Sequence, residues 1–130
     1  MELEELTERV YGAWNRGDVD ELTGYFAPEA VYETSGVFPG FEPEYHGPEG
    51  MRRFYETMHE AFDSFHIEIL ETVPAGDMTA SRIRFRARGK SSGVAVDLEF
   101  AHGFSVKDDQ VTFLVARESV DEVRERIAEL

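Results

Sequence analysis

Apolar positions along this chain repeat at helical spacing in its first half and at every second residue in its second half. Leu3, Leu6, Val10 and the Ala13/Trp14 pair share one helical face, and acidic residues crowd the start of that segment. This spacing predicts a helix over 3–15, with acids placed where the helix dipole favours them. Gly17 is a natural stop. Asp18, with Glu21 three residues on, predicts the capped start of a short second helix that carries Leu22 and is broken by Pro28. A short strand is expected over 30–34. The segment 35–45 is rich in Gly, Pro and aromatic residues, which makes it too apolar for an ordinary surface loop. It reads as a flap over something apolar.

Pro48 stands near the start of a third helix, and Met51, Phe54, Tyr55, Met58 and Phe62 fall on its inner face. Arg52, Arg53, Glu56 and Glu60 face away. From Phe65 the period changes to two. Phe65, Ile67 and Ile69 alternate with His66 and Glu68, and Ile83, Phe85 and Ala87 alternate with Arg82, Arg84, Arg86 and Arg88. Val94, Val96, Leu98, Phe100, His102, Phe104 and Val106 then share a face. Val111 to Arg117 forms the last strand, and Ser119 or Asp121 caps a terminal helix running to Leu130. Turns fall at 75–77, 90–93 and 107–110.

The two middle strands predict their own register. Pairing Gly89 with Val94 sets Arg86 against Asp97 and Arg84 against Glu99 on one side, and Phe85 against Leu98 and Ile83 against Phe100 on the other. Charge meets charge and apolar meets apolar, as cross-strand packing requires. The expected fold class is α+β and cone-shaped. N-terminal helices pack on a strongly curved mixed or antiparallel sheet, bent by at least one bulge, and enclose a pocket.

Composition narrows the partners. The 130 residues fit one domain over 1–130. The net charge of −14 argues against nucleic acid and anionic membranes, which both need a basic footprint. No apolar run approaches the ~18 residues of a membrane helix. The N-terminus lacks a basic, then apolar, leader, so the expected location is cytoplasmic. Cysteine is absent, which removes disulfides and thiolate chemistry. The histidines show no metal-ligand spacing, and no phosphate loop or dinucleotide fingerprint occurs. No metal and no cofactor are expected.

Several segments carry a family resemblance. Tyr11-Gly-Ala-Trp-Asn-Arg-Gly-Asp-Val-Asp-Glu-Leu, then Tyr25-Phe-Ala-Pro-Glu-Ala-Val-Tyr, resembles the opening of the nuclear transport factor 2-like superfamily. Tyr45-His-Gly-Pro-Glu-Gly-Met-Arg-Arg-Phe-Tyr resembles that superfamily's entry to the third helix. Phe100-Ala-His-Gly-Phe through Asp109-Gln-Val resembles the penultimate hairpin of its SnoaL-like branch, with a polyketide cyclase-like fold. The resemblance implies the cone. Its known chemistries are several and do not follow from the fold. The ketosteroid isomerase set is missing: the base position falls on Thr34, the late-strand acid on Ala101 and the tyrosine on Val10, with Tyr11 one place off on a different face. The Asp-Arg-Asp relay of limonene-type epoxide hydrolases is missing too, because Arg82 to Arg88 face away from the cavity.

Histidine remains. His102 shares its strand face with Leu98, Phe100 and Phe104, so it points into the pocket as an acid or base, or as a buried structural histidine. His59 reaches the cavity edge or the helix flank, His46 caps the third helix, and His66 faces outward. Glu33 has the wrong parity for the pocket, and Glu118 sits at its mouth or begins the last helix. Arg117, in step with Val111, Phe113 and Val115, points inward to hold an anion or enolate oxygen, or ends the strand in solvent. The candidate pocket is Trp14, Tyr32, Thr34, Tyr55, Met58, His59, Phe62, Phe85, Phe104, Phe113 and Arg117 around His102. The expected ligand is a small apolar molecule, polyketide-like or terpenoid-like, bound or turned over by an isomerase, cyclase or dehydratase step. The rival expectation is a non-catalytic ligand carrier or dimeric assembly module. There Phe38, Phe41 or Trp14 plugs the cone, and the charged outer sheet face makes a homodimer.

Overall fold

A computed structural model describes residues 2–34 and 40–130. Helix α1 (Leu3–Arg16) buries Leu6, Val10, Tyr11, Ala13 and Trp14 and ends at Gly17, whose left-handed backbone returns its N–H to Ala13 and Trp14 carbonyls. Asp18 caps α2 (Val19–Gly24) by accepting from the Glu21 amide. Strand β1 (Phe26–Glu33) starts earlier than expected and is irregular between Phe26 and Val31, around Pro28. Strand β2 (Glu44–His46) takes up the end of the segment read as a flap. Residues 35–39 of that segment, Phe38 among them, lie outside the described residues.

Helix α3 (Gly47–Ala61) enters with Pro48 in its first turn and buries Met51, Phe54, Tyr55 and Met58. Its entry needs glycine: Gly47 has φ 65°, and a Cβ there would lie 2.9 Å from the Pro28 carbonyl oxygen. His46 stands at the N-cap but makes no side-chain cap; its ring faces Glu44 at 3.3 Å. Phe62 is not on the helix face. It begins β3 (Phe62–Ala75), which is followed by β4 (Met78–Gly89), β5 (Ala95–Lys107) and β6 (Gln110–Arg117). Ser119 caps the last helix, α4 (Val120–Ala128), by accepting from the Glu122 amide.

The six strands form one mixed sheet in the order β2-β1-β6-β5-β4-β3. The pairs are antiparallel except β1 with β6, which run parallel. The β4–β5 register is the expected one, with Arg86 opposite Asp97, Phe85 opposite Leu98 and Ile83 opposite Phe100. The ion pairs run diagonally within it. Arg84 grips Asp97 through two bonds of 2.8 and 2.6 Å, and Arg82 reaches Glu99 at 2.5 Å. Register shifts occur twice in β3 against β4 and once where β5 meets β6. These breaks bend the sheet around α1 and α3. On the other face, α4 packs its Val123 over Ala101 and Val115 in a second, smaller apolar cluster.

Candidate functional site

The concave face and the helices enclose a cavity near the middle of the molecule. Helix α1 supplies Val10, Tyr11 and Trp14, and α3 supplies Met51, Phe54 and Met58. Strand β5 supplies Phe100, His102 and Phe104. Leu22, Phe26, Tyr32, Ile67, Phe85 and Leu114 also line the cavity, and among the described residues no Asp, Glu, Lys or Arg does. The cavity has a volume of only about 30 Å³. The cavity is therefore a narrow apolar slot with room for one or two waters.

His102 is the polar group at its centre. It is 4% exposed and ringed by aromatic edges: Phe100 at 5.1 Å, Phe104 at 6.0 Å and Tyr32 at 6.1 Å between ring centres. Tyr11 lies with its ring plane 7° from the imidazole, and its hydroxyl meets His102 Nδ1 at 2.6 Å. Burial pushes the His102 imidazolium down to about 3, so the ring is neutral at physiological pH. The same burial pushes the Tyr11 and Tyr32 phenols up. The second ring nitrogen, Nε2, is buried without a hydrogen-bond partner, as is the indole N–H of Trp14.

Trp14, Tyr32, Met58, Phe85, His102 and Phe104 share the cavity wall. The other expected residues lie elsewhere. The Thr34 hydroxyl is spent on the Glu42 carbonyl. Tyr55 backs Trp14 from outside, 5.2 Å between rings, and its hydroxyl meets the exposed His59 at 3.1 Å. Phe62 packs edge-on to Phe85 from behind. Phe41, expected as a plug, packs on Phe54 at 5.4 Å and does not line the cavity.

Phe113 and Arg117 face the opposite side of the sheet. A bulge sets both Val111 and Phe113 against consecutive β5 residues, which inverts the parity of β6 after Val111. Leu114 and Ala116 then join the inner core, while Phe113 packs under α4. Arg117 donates to Glu33 at 2.7 Å, and Arg126 of α4 donates to the same carboxylate at 2.9 and 3.1 Å. These bonds, that of Arg126 foremost, hold the Glu33 carboxyl below its usual range. Glu33 thus has the outward parity expected of it, and Glu118 bonds Glu122 through its backbone amide.

Sequence reasoning missed Tyr11. It assigned the residue to a different face from Val10, yet both line the cavity, because the buried arc of α1 also takes in Thr7 and Ala13. The spacing of Thr7, Tyr11 and Trp14 at i, i+4 and i+7 was the available signal.

Comparison with known proteins fits this architecture. Residues 7–114 match the family model described as "SnoaL-like domain". No curated protein matches the chain. Among solved structures, a nuclear transport factor 2-like protein of unknown function from Burkholderia pseudomallei superposes with a TM-score of 0.80 at 16% identity, covering 96% of this chain and 97% of that one. A protein with the ketosteroid isomerase-like fold from Catenulispora acidiphila, in complex with trimethylamine, gives 0.77 at 16% identity, over 88% and 85% of the two chains. A Mycobacterium tuberculosis protein in complex with estradiol-17beta-hemisuccinate gives 0.77 at 15% identity, over 92% and 95%. At these identities the likeness concerns the fold.

Proposed function

Because the chain belongs to the SnoaL-like domain family, we propose that it holds a small, mostly apolar molecule inside the cone, against His102. The observation that carries this reading is the buried Nε2 of His102, without a partner, in a wall that is otherwise apolar. A polar atom left unpaired in an apolar interior costs about 1–3 kcal/mol, and a ligand atom would recover that loss. Small molecules bound by two proteins of like fold, trimethylamine and estradiol-17beta-hemisuccinate, support it as precedent for the shape. Membrane binding through a spanning helix has no support: among the described residues no helix is long and apolar enough to cross a bilayer.

Binding is favoured over turnover by an isomerase, cyclase or dehydratase step. A general acid or base works best with a pKa near the working pH, and burial sets the His102 imidazolium at about 3. No carboxylate lines the wall to receive or return a proton. A second reading rests on the narrowness of the slot: with a cavity of only about 30 Å³, the side chains fill the cone as an ordinary core. The homodimer attached to that reading is weakly supported. The outer face pairs its own charges, with Arg82 on Glu71 and Glu99, Arg84 on Asp97, and Arg86 3.8 Å from Glu68. A symmetric contact there would exchange ion pairs rather than add them.

An NMR titration with neutral compounds of about four to eight heavy atoms separates the two readings. The pocket reading expects saturable shifts at the methyls of Met51, Met58, Ile67 and Leu114. It also expects tighter binding in Leu114→Ala, whose added void is apolar and stays dry without ligand. Saturation in neither protein rejects the pocket and establishes a filled core.

A further inference from the structure

Three buried side-chain polar atoms among the described residues lack a partner: His102 Nε2, Trp14 Nε1 and Thr79 Oγ1. Two of the three belong to residues lining this cavity, and Thr79 does not line it. Which hydrogen-bonding role His102 offers depends on where its proton sits. The Tyr11 hydroxyl meets Nδ1 at 2.6 Å, its one hydrogen bond among the described residues. If Nδ1 carried the proton and donated to Tyr11, the phenolic O–H and the Nε2 lone pair would both be stranded in an apolar wall. If Tyr11 donates to a bare Nδ1, the phenol proton is satisfied and one group, Nε2–H, remains. One stranded group is better than two, since each carries its own desolvation penalty. Tyr11 therefore sets the tautomer, and the side of His102 left for a ligand is a donor. Trp14, the other unpartnered group on this wall, can only donate.

We infer that the cone selects a neutral apolar molecule carrying an acceptor oxygen of the ketone or ester kind, which accepts from His102 Nε2–H with Tyr11 holding the imidazole in that tautomer. The inference rests on the pocket reading above and deepens it. Neutrality follows from the wall. No charged side chain lines the cavity, so a carboxylate or ammonium would enter without a counter-charge, at a desolvation penalty of several kcal/mol. Arg117, the cation the sequence offered for an anion, is turned to the other face and held by Glu33. A pure hydrocarbon would fit the apolar wall and leave Nε2–H stranded. The slot is small, but Met51 and Met58 both line it. Their unbranched side chains can re-pack around a guest larger than water. Tyr11 is a positioning residue in this scheme, and His102 touches the ligand.

The test pairs cyclohexanone with methylenecyclohexane, which differ in the acceptor oxygen and little in shape. Cyclohexanecarboxylate and cyclohexylammonium serve as charged partners. Affinities come from NMR titration of the wild-type chain, His102→Phe and Tyr11→Phe, and the His102 tautomer from long-range proton–nitrogen correlation. The expected result is a proton on Nε2, a preference of about tenfold for the ketone and no saturable binding of either charged compound. Tenfold corresponds to about 1.4 kcal/mol, the worth of one net hydrogen bond. The preference should vanish in His102→Phe and shrink in Tyr11→Phe, where either tautomer becomes accessible. Equal binding of ketone and hydrocarbon, or a proton on Nδ1, overturns the inference and leaves the pocket standing. Failure of every neutral compound in the wild type and in Leu114→Ala overturns both.

Discussion

At the scale of single residues, His102 makes stability depend on pH in a window of its own. Histidine in an unfolded chain titrates near 6.5, and burial holds the folded imidazolium down to about 3. Above pH 6.5 both states are neutral and the residue contributes no pH dependence. Below it the unfolded chain takes a proton that the folded protein refuses, so stability falls with pH by about 1.4 kcal/mol per unit. Denaturant titrations between pH 6.5 and 5 should show this contribution in the wild type and lose it in His102→Phe. An unchanged slope in the variant would contradict the burial. Glu33 acts lower down and with the opposite construction. Its folded pKa lies below the usual 4.5, so its share of stability is present above that value and is lost as pH falls through the folded one. The Tyr11–His102 bond gives a second prediction. Tyr11→Phe strands Nδ1 and should cost about 1–3 kcal/mol, whereas Tyr11→Phe with His102→Phe removes both partners and should recover most of it. A double-variant loss equal to the sum of the Tyr11→Phe and His102→Phe losses would mean that the bond adds nothing.

At the scale of elements, what was legible followed the regularity of the backbone. The β4–β5 pair runs without a break from Thr79–Phe104 to Arg88–Ala95, so the parity that turned His102, Phe85 and Phe104 inward could be read from alternation alone. Strand β6 was read with the same rule and came out inverted, because one bulge after Val111 moves Phe113 and Arg117 to the far face. A bulge leaves no mark in a hydrophobic pattern when both faces of the strand are covered, and α4 covers the second face here. The cost of ignoring a one-residue slip is the whole strand's orientation. The short β2 was invisible for a different reason: its three residues are too few to show a period. Asn15 was read only as part of a motif, and its role is structural. Its side-chain amide donates to the Ile67 carbonyl at 2.8 Å and accepts from the Ile67 N–H at 2.9 Å, pairing with the outer edge of β3 as one residue of a neighbouring strand would. The edge is thereby occupied at Ile67, and α1 is tied to the sheet one turn from Tyr11. Asn15→Ala should lower stability by about 1–3 kcal/mol, and hydrogen exchange should show the Ile67 amide opening faster. An unaltered exchange rate at Ile67 would mean the clip carries no load.

At the scale of the molecule, the sheet has two jobs on two faces, and α4 belongs to the one without the cavity. The helix is held by three kinds of contact. Arg126 reaches across to Glu33 on β1, Arg124 donates to the Pro74 carbonyl at 3.3 Å, and Val123 fills the hollow over β5. That hollow exists because residue 103 is glycine. A Cβ there would stand 2.8 Å from Val123 Cγ1 and 3.0 Å from Val115 Cγ1, closer than packed carbons allow. His102 is the next residue along β5 and points the other way, so the strand alternates between the helix seat and the cavity. The two functions are separable at this one position. Gly103→Ala should push α4 outward, lowering stability by about 1–3 kcal/mol through overpacking and speeding exchange of the α4 amides. Because the Cβ enters the outer face, affinity for a cavity ligand should stay within about twofold once stability is corrected for. A loss of affinity matching that of His102→Phe would show that the two faces are coupled through β5, and that α4 is part of the site rather than the strap behind it.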